Sequence, residues 1–376
     1  MRLLSCALYK HGRRLNIEAS IAAWLGHMRL LSIQYLRGLA AVSIVFYHAF
    51  VQLDRLGFTG QTPQVLSGGV DVFFVISGFI IWYTTAEHGS EPMTFMKHRV
   101  RRIVPLYWMV TTLYLVVMLL APSLMQSGHF NIRHVISSYL FIPAPHPSDP
   151  SMMWPVVVPG WSLNCEMFFY LIFACVLSTP ARTRFFAIQS LLLIFVANHY
   201  IFRLSENSIL GFYSSSLLLE FNFGVALAYL LRHLQRCGSK FMFSLLTFGL
   251  VSFLILSSVF DLSAVRGIAY GIPSLLIVAG AVTYETYFEI PHISLPKLIG
   301  DSSYSLYLVH GAVLSALGQV VRQIEPSKLI TPMGAGVFLI VGITCSVGLG
   351  IFVFLFVERS ILQSLSSKKL AIGRTT

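Results

Sequence analysis

Apolar stretches about as long as a bilayer is thick recur along this chain from end to end, nearly free of charge, and they restrict its fold more than any motif does. A membrane-crossing helix needs about 20 mainly apolar residues and satisfies its own backbone polar groups where no water can. Ten segments qualify: 32–52, 69–87, 103–121, 160–178, 185–202, 211–231, 241–260, 265–284, 298–320 and 333–357. Only 11% of the 376 residues are charged and 56% are hydrophobic, against about 25% charged in ordinary soluble domains. The expected fold is therefore all-α, a polytopic bundle of about ten transmembrane helices with no separate soluble domain. Residues 1–31 read as an N-terminal segment, 32–357 as the transmembrane domain and 358–376 as a C-terminal tail.

A net charge of +11 would suggest nucleic acid for a soluble protein. In a membrane protein the distribution among loops carries the information, and no nucleic-acid partner is expected. Of the 26 Lys and Arg, 19 fall in the N-terminus, the even-numbered loops and the C-terminus, 6 in the odd-numbered loops counting Arg266 at the edge of the eighth segment, and Arg37 lies inside the first helix. By the positive-inside rule both termini are cytoplasmic, in a multi-pass membrane protein. The start, with Lys10, Arg13, Arg14 and Glu18, lacks the longer apolar region and cleavage site of a signal peptide. The string MRLLS occurs at Met1 and again at Met28, so residues 1–27 read as a dispensable or misassigned extension. Cys6, Cys165, Cys175, Cys237 and Cys345 show no metal-ligand spacing, and neither a disulfide framework nor a metal is expected.

Within the first apolar segment stand Arg37 and His48, eleven steps and about 16 Å apart on nearly one face. An ionisable side chain inside a membrane is costly and points to function, and an imidazole exchanges protons near neutrality. The fourth segment opens with Gly160-Trp161-Ser162-Leu163-Asn164-Cys165-Glu166. Descending from outside, it would set Glu166 about 9 Å below its start, in the same outer layer as His48. The pair is expected to act as base and orienting acid, against a structural hydrogen bond or ion pair as the plainer reading.

Asp71 near the mouth of the second helix reads equally as a helix cap or a catalytic group. Ser77 and Gly78, deeper, read first as small residues that let helices approach, or as room for a thin acyl chain. Lys97, His98, Arg99, Arg101 and Arg102 form the densest basic cluster, immediately before Pro105-Leu106-Tyr107-Trp108 begins the third helix. Positive-inside bias explains several of them, yet Arg99 and Arg102 share a helix face and make a good phosphate clamp. In GDSSYSLYLVHG, Tyr304, Tyr307 and His310 follow one another at three-residue steps, which suggests a lined cavity over a buried structural His. The one long outer connection, 121–159, holds a short interfacial helix over 132–142, and its His129, His134 and His146 are expected to be solvated.

These residues resemble the acyltransferase-3 family of membrane O-acyltransferases. The likeness rests on YLRGLAAVSIVFYH around Arg37 and His48, GVDVFFVISGF from Gly69, Arg99 and Arg102 before IVPLYW, PGWSLNCEMFFY from Pro159, and SYSLYLVHG from Ser303. It covers roughly residues 30–360 and is nearest the bacterial exopolysaccharide, succinoglycan-type, O-acetyltransferases. The resemblance implies acetyl-CoA or another acyl-CoA as donor, and a sugar hydroxyl of a polysaccharide or lipid-linked oligosaccharide as acceptor. It implies His48 as catalytic base or acyl-handling residue, in direct transfer or an acyl-His relay, Arg37 as its motif partner, and Arg99 and Arg102 on the donor phosphates. Glu166 is expected to assist the base, while Asp71, Ser77, Trp161, Ser162, Tyr304, Tyr307 and His310 are expected around the substrate. The competing class is a proton-coupled transporter or flippase for a lipid-linked saccharide, since intramembrane His and Glu serve proton coupling as well.

Overall fold

The structure, a computed structural model, describes residues 30–58, 60–86, 91–121, 130–236, 238–259, 265–324 and 331–372. The proposed extension 1–27, Cys6, Cys237 and His129 lie outside the described residues. Among the described residues the chain is all helix and connection, with one isolated bridge between His146 and Asp149. The helices are α1 Leu31–Arg55, α2 Gly69–Thr85, α3 Pro92–Leu120, α4 Ile132–Tyr139, α5 Trp161–Val176, α6 Ala181–Ile201 and α7 Leu218–Leu234. There follow α8 Ser239–Val259, α9 Gly271–Tyr287, α10 Ser294–Asp301, α11 Ser303–Ile324, α12 Pro332–Val353 and α13 Arg359–Ile372.

Each of the ten expected spans coincides with a helix. Eight helices among the described residues are long and apolar enough to cross a membrane; the other two, α5 and α7, have 16 and 17 residues. The chain is a polytopic all-α membrane bundle. The third helix begins at Pro92, well before Pro105, so the basic cluster is itself helical. Proline at the first position of α3 needs no N–H partner, and the later Pro105 is carried inside the helix. The short outer helix appears as α4, capped by Asn131, whose side chain accepts from the backbone N–H of Arg133 and His134.

Two devices bring the central helices close. A Cβ on Gly78 of α2 would meet the carbonyl oxygen of Phe221 on α7, and one on Gly224 would meet that of Val75. Small residues replace side-chain contact with backbone contact there, as close helix packing in lipid requires. The start of α1 lacks a cap of its own, and Glu285 from the end of α9 supplies one: its carboxylate accepts from the N–H of Leu31 (2.8 Å) and Ser32 (3.0 Å) and from the Ser32 hydroxyl (2.5 Å). An aromatic core that includes Trp82, Phe95, Phe169, Phe173 and Phe221 then joins α2, α3, α5 and α7. Together α1, α2, α3, α5 and α11 enclose the interior.

Candidate active site

A cavity of about 210 Å³ lies between those five helices. Its charged wall is built from Arg37 of α1, Arg99 and Arg102 of α3 and Glu166 of α5, and Ser77, Ser162, Tyr170, Ser303, Tyr304 and Tyr307 also line it. The i, i+3 spacing of the two α3 arginines puts both on the cavity face, one turn apart. Arg99 lies against two rings, 5.2 Å from the centroid of Phe95 and 5.7 Å from that of Tyr170. Arg37 donates to the Ser303 hydroxyl at 2.9 Å, tying α1 to the first turn of α11.

The site contains two buried polar atoms with no partner in the protein, Nε of Arg99 and Oε1 of Gln34, both on cavity-lining residues. Buried polar groups are nearly always hydrogen-bonded, so orphans on residues that line a cavity mark where a bound molecule could supply the missing partner. Three guanidiniums with one spare N–H suit an anionic ligand rich in phosphate oxygens, and a carbonyl-type acceptor suits an amide N–H.

Glu166 does not pair with His48. Its Oε1 accepts from Ser77 (2.9 Å) and from the Tyr170 hydroxyl, on the same cavity wall as the arginines. The reason is helix register: Glu166 and Tyr170 are i, i+4 neighbours, and this face of α5 looks at the arginine-bearing stretch of α3 rather than at the far end of α1. Both of its partners also line the cavity, which holds the carboxylate on that wall.

His48 instead meets His310. The His310 Nε2 and His48 Nδ1 atoms are 3.1 Å apart, the ring centroids 4.9 Å. His310 Nδ1 lies 3.3 Å from the carbonyl oxygen of Leu306 and His48 Nδ1 3.1 Å from that of Ile44. A carbonyl can only accept, so Nδ1 is the protonated nitrogen of each neutral ring. His310 then offers the lone pair of Nε2 to the N–H of His48 Nδ1. With that assignment the single Nδ1–H of His48 is shared between the Ile44 carbonyl and His310 Nε2, and the lone pair of His48 is left on Nε2.

Neither histidine lines the cavity. Tyr307 does, its ring is 5.9 Å from that of His310, and its hydroxyl donates to the Pro159 carbonyl (2.7 Å) and lies 2.8 Å from the Ser162 hydroxyl. Tyr307, hydrogen-bonded to Ser162, thus links the arginine-lined cavity to the histidine pair. Tyr304, a turn nearer the arginines, donates to the Ile103 carbonyl at 2.7 Å.

Asp71 is away from this cavity. It is fully buried and bound by both arms of Arg266, Nε to Oδ1 at 3.0 Å and a terminal nitrogen to Oδ2 at 2.6 Å. Arg266, not read as a site residue in the sequence, finds Asp71 because it opens the short helical turn before α9. The ion pair supplies the charge compensation a carboxylate needs at that depth. Trp161 is half-buried and meets Phe74 edge to face at 6.3 Å. Contrary to expectation, His134 and His146 are buried: His134 Nε2 lies 2.7 Å from the Trp154 carbonyl, and the two imidazoles pack edge to face at 5.4 Å. The proline-rich connection folds back on α4, and that packing takes both rings out of water.

Residues 30–351 match the acyltransferase-domain family. The chain belongs to this family. It is 31% identical over 322 residues to the exopolysaccharide production protein ExoZ of Rhizobium meliloti (strain 1021), a match covering 84% of this chain and 95% of that one. It is 26% identical over 312 residues to the O-acetyltransferase OatA of Staphylococcus aureus, covering 74% of this chain and 49% of OatA, so it spans about half the length of that relative. A third relative, protein 2 in the picA locus of Rhizobium radiobacter, is 28% identical over 161 residues, 39% of this chain and 81% of that one. No solved structure matches. The protein is a membrane O-acyltransferase.

Proposed function

We propose that the protein transfers an acetyl group from acetyl-CoA to a hydroxyl of an exopolysaccharide or its lipid-linked precursor, in the inner membrane of a bacterium with both termini cytoplasmic. The observation that carries this reading is the order of groups along the interior: three guanidiniums on the wall of a cavity, and a histidine pair next to Tyr307, which lines the same cavity. The names of ExoZ and OatA support a polysaccharide acceptor and an acetyl group. Arg37, Arg99 and Arg102 are suited to the phosphates of the donor, and Gln34 to an amide of its pantetheine arm. The arm runs between Ser77 of α2 and Tyr304 of α11 toward Ser162 and Tyr307, which stand at the boundary with the histidines.

His48 is the general base. Its Nε2 takes the proton of the acceptor hydroxyl as that oxygen attacks the thioester carbonyl. The new C–O ester bond forms, the C–S bond breaks, and the departing thiolate receives the proton back. His310 is a positioning residue: its Nε2 fixes the His48 tautomer and takes a share of the imidazolium charge through the 3.1 Å contact. Glu166, Ser77 and Tyr170 form a carboxylate cluster that balances part of the arginine charge. Asp71 and Trp161 hold the helices around the site.

The test is acetyl-CoA-dependent labelling of polysaccharide by purified protein. His48→Ala, folded as judged by its melting temperature, is expected to lose about 10² to 10⁴ of the rate, the usual contribution of a general base. Unchanged turnover would remove His48 as the base. Saccharide translocation without acyl-CoA consumption would replace the reading with the transporter.

A further inference from the structure

Helix α12 does not end as an α-helix. Its last turn, Phe354–Glu358, is π-helical, and α13 follows without a break. A π-turn inserts the equivalent of one extra residue and is frequently found at functional sites. The buried residues Gly342, Ser346 and Gly350 advance by about 40° per step around the axis. In an uninterrupted α-helix Glu358 would sit about 80° beyond Gly350, off that stripe and toward lipid. The extra residue turns it back by about 100°, onto the buried face. Glu358 is accordingly 6% exposed.

A carboxylate so placed needs partners. Its Oε2 accepts from the Ser305 hydroxyl at 2.5 Å, and the nearby cations are Arg102 and Arg37. Ser305 is two residues from Ser303, the hydroxyl that Arg37 holds. Glu358 is not among the residues that line the cavity, whereas Arg37, Arg102 and Ser303 are. The carboxylate therefore lies outside the cavity lining, held to α11 next to the serine turn that Arg37 reaches. Arg37 and Arg102 repel one another, and a nearby anion opposes that repulsion. The matched family segment ends at residue 351, short of this group.

We propose that Glu358 is a positioning residue for the donor site: the π-turn turns it inward onto Ser305, near Arg37 and Arg102, and its charge helps set the two guanidiniums that receive the anionic end of the acyl donor. This rests on the donor being an acyl-CoA. A group that positions a binding clamp, and does not touch the reacting atoms, should alter KM for the donor and leave kcat nearly alone.

The experiment compares full-length parent protein, E358Q and S305A in detergent or nanodiscs, with acetyl-CoA as the varied substrate, and records the melting temperature of each. E358Q keeps the shape and removes the charge; KM for acetyl-CoA should rise about tenfold with kcat within about twofold. S305A keeps the charge and frees its direction, and should raise KM in the same sense by a smaller factor. It carries the test if E358Q does not fold. A lowered melting temperature with unchanged KM would make Glu358 structural only, and a lowered KM would make it a competitor of the donor; either overturns the proposal. Absence of any CoA-dependent turnover in the parent protein removes the donor assignment and this inference with it, whereas normal parent turnover with an unchanged KM in both variants removes this inference alone.

Discussion

At the residue scale the histidine couple shows how a helix backbone selects a tautomer. Both imidazoles sit four residues after a carbonyl of their own helix, Ile44 for His48 and Leu306 for His310, and each carbonyl claims Nδ1. His310→Gln is expected to keep partial activity, because its amide can still meet the N–H of His48, while His310→Ala should lose most of kcat with KM for acetyl-CoA little changed. Steady-state kinetics on the two variants checks this; equal kcat in both would deny His310 the positioning role. The Asp71–Arg266 pair follows a different logic. Arg266→Met leaves a fully buried carboxylate uncompensated and should cost about 3 kcal/mol, most of it recovered in Asp71→Asn/Arg266→Met. Thermal melts of the single and double variants decide it.

At the element scale two contacts set the relative positions of the helices that build the cavity. Gly78→Ala drives a methyl into the Phe221 carbonyl, which belongs to backbone and cannot rotate away. The variant should be destabilised by about 1 to 3 kcal/mol, with α2 displaced from α7. The in-trans cap on α1 is the second. Glu285→Ala removes the acceptor of two backbone N–H groups and a hydroxyl. The expected loss is about 1 to 2 kcal/mol, together with faster hydrogen exchange at Leu31 and Ser32. Gln34 and Arg37 lie one to two turns beyond that cap, so its loss should also weaken the donor end of the cavity.

At the scale of the whole molecule the bundle separates two chemistries along its interior. In the proposed function the arginine cluster receives the anionic donor and the histidine pair carries out the transfer, with Tyr307, hydrogen-bonded to Ser162, between them. If the donor end faces the cytoplasm, single cysteines placed on the loop before α3 should react with an impermeant reagent only in inverted vesicles, and ones on the connection near His134 only in the opposite orientation. Labelling of both from the same side would overturn the orientation.

Apolar runs of bilayer length, with charges sorted to alternate loops, were sufficient to read an all-helical membrane protein, because a lipid interior permits so few backbone solutions. The ordered motifs were sufficient to read the acyltransferase family. Local spacing also put Arg99 and Arg102 on one face and found the short outer helix, since both are properties of a single segment. Depth counting along separate helices paired Glu166 with His48; packing paired His48 with His310 and turned Glu166 to the arginines. Rise per residue gives a height along one axis but not the rotation of one helix against another, and that rotation chooses partners. For the same reason Arg266 and Glu358 passed unnoticed among 26 basic and 15 acidic residues. One is assigned by the meeting of two distant helix ends, the other by a π-turn that no periodicity announces.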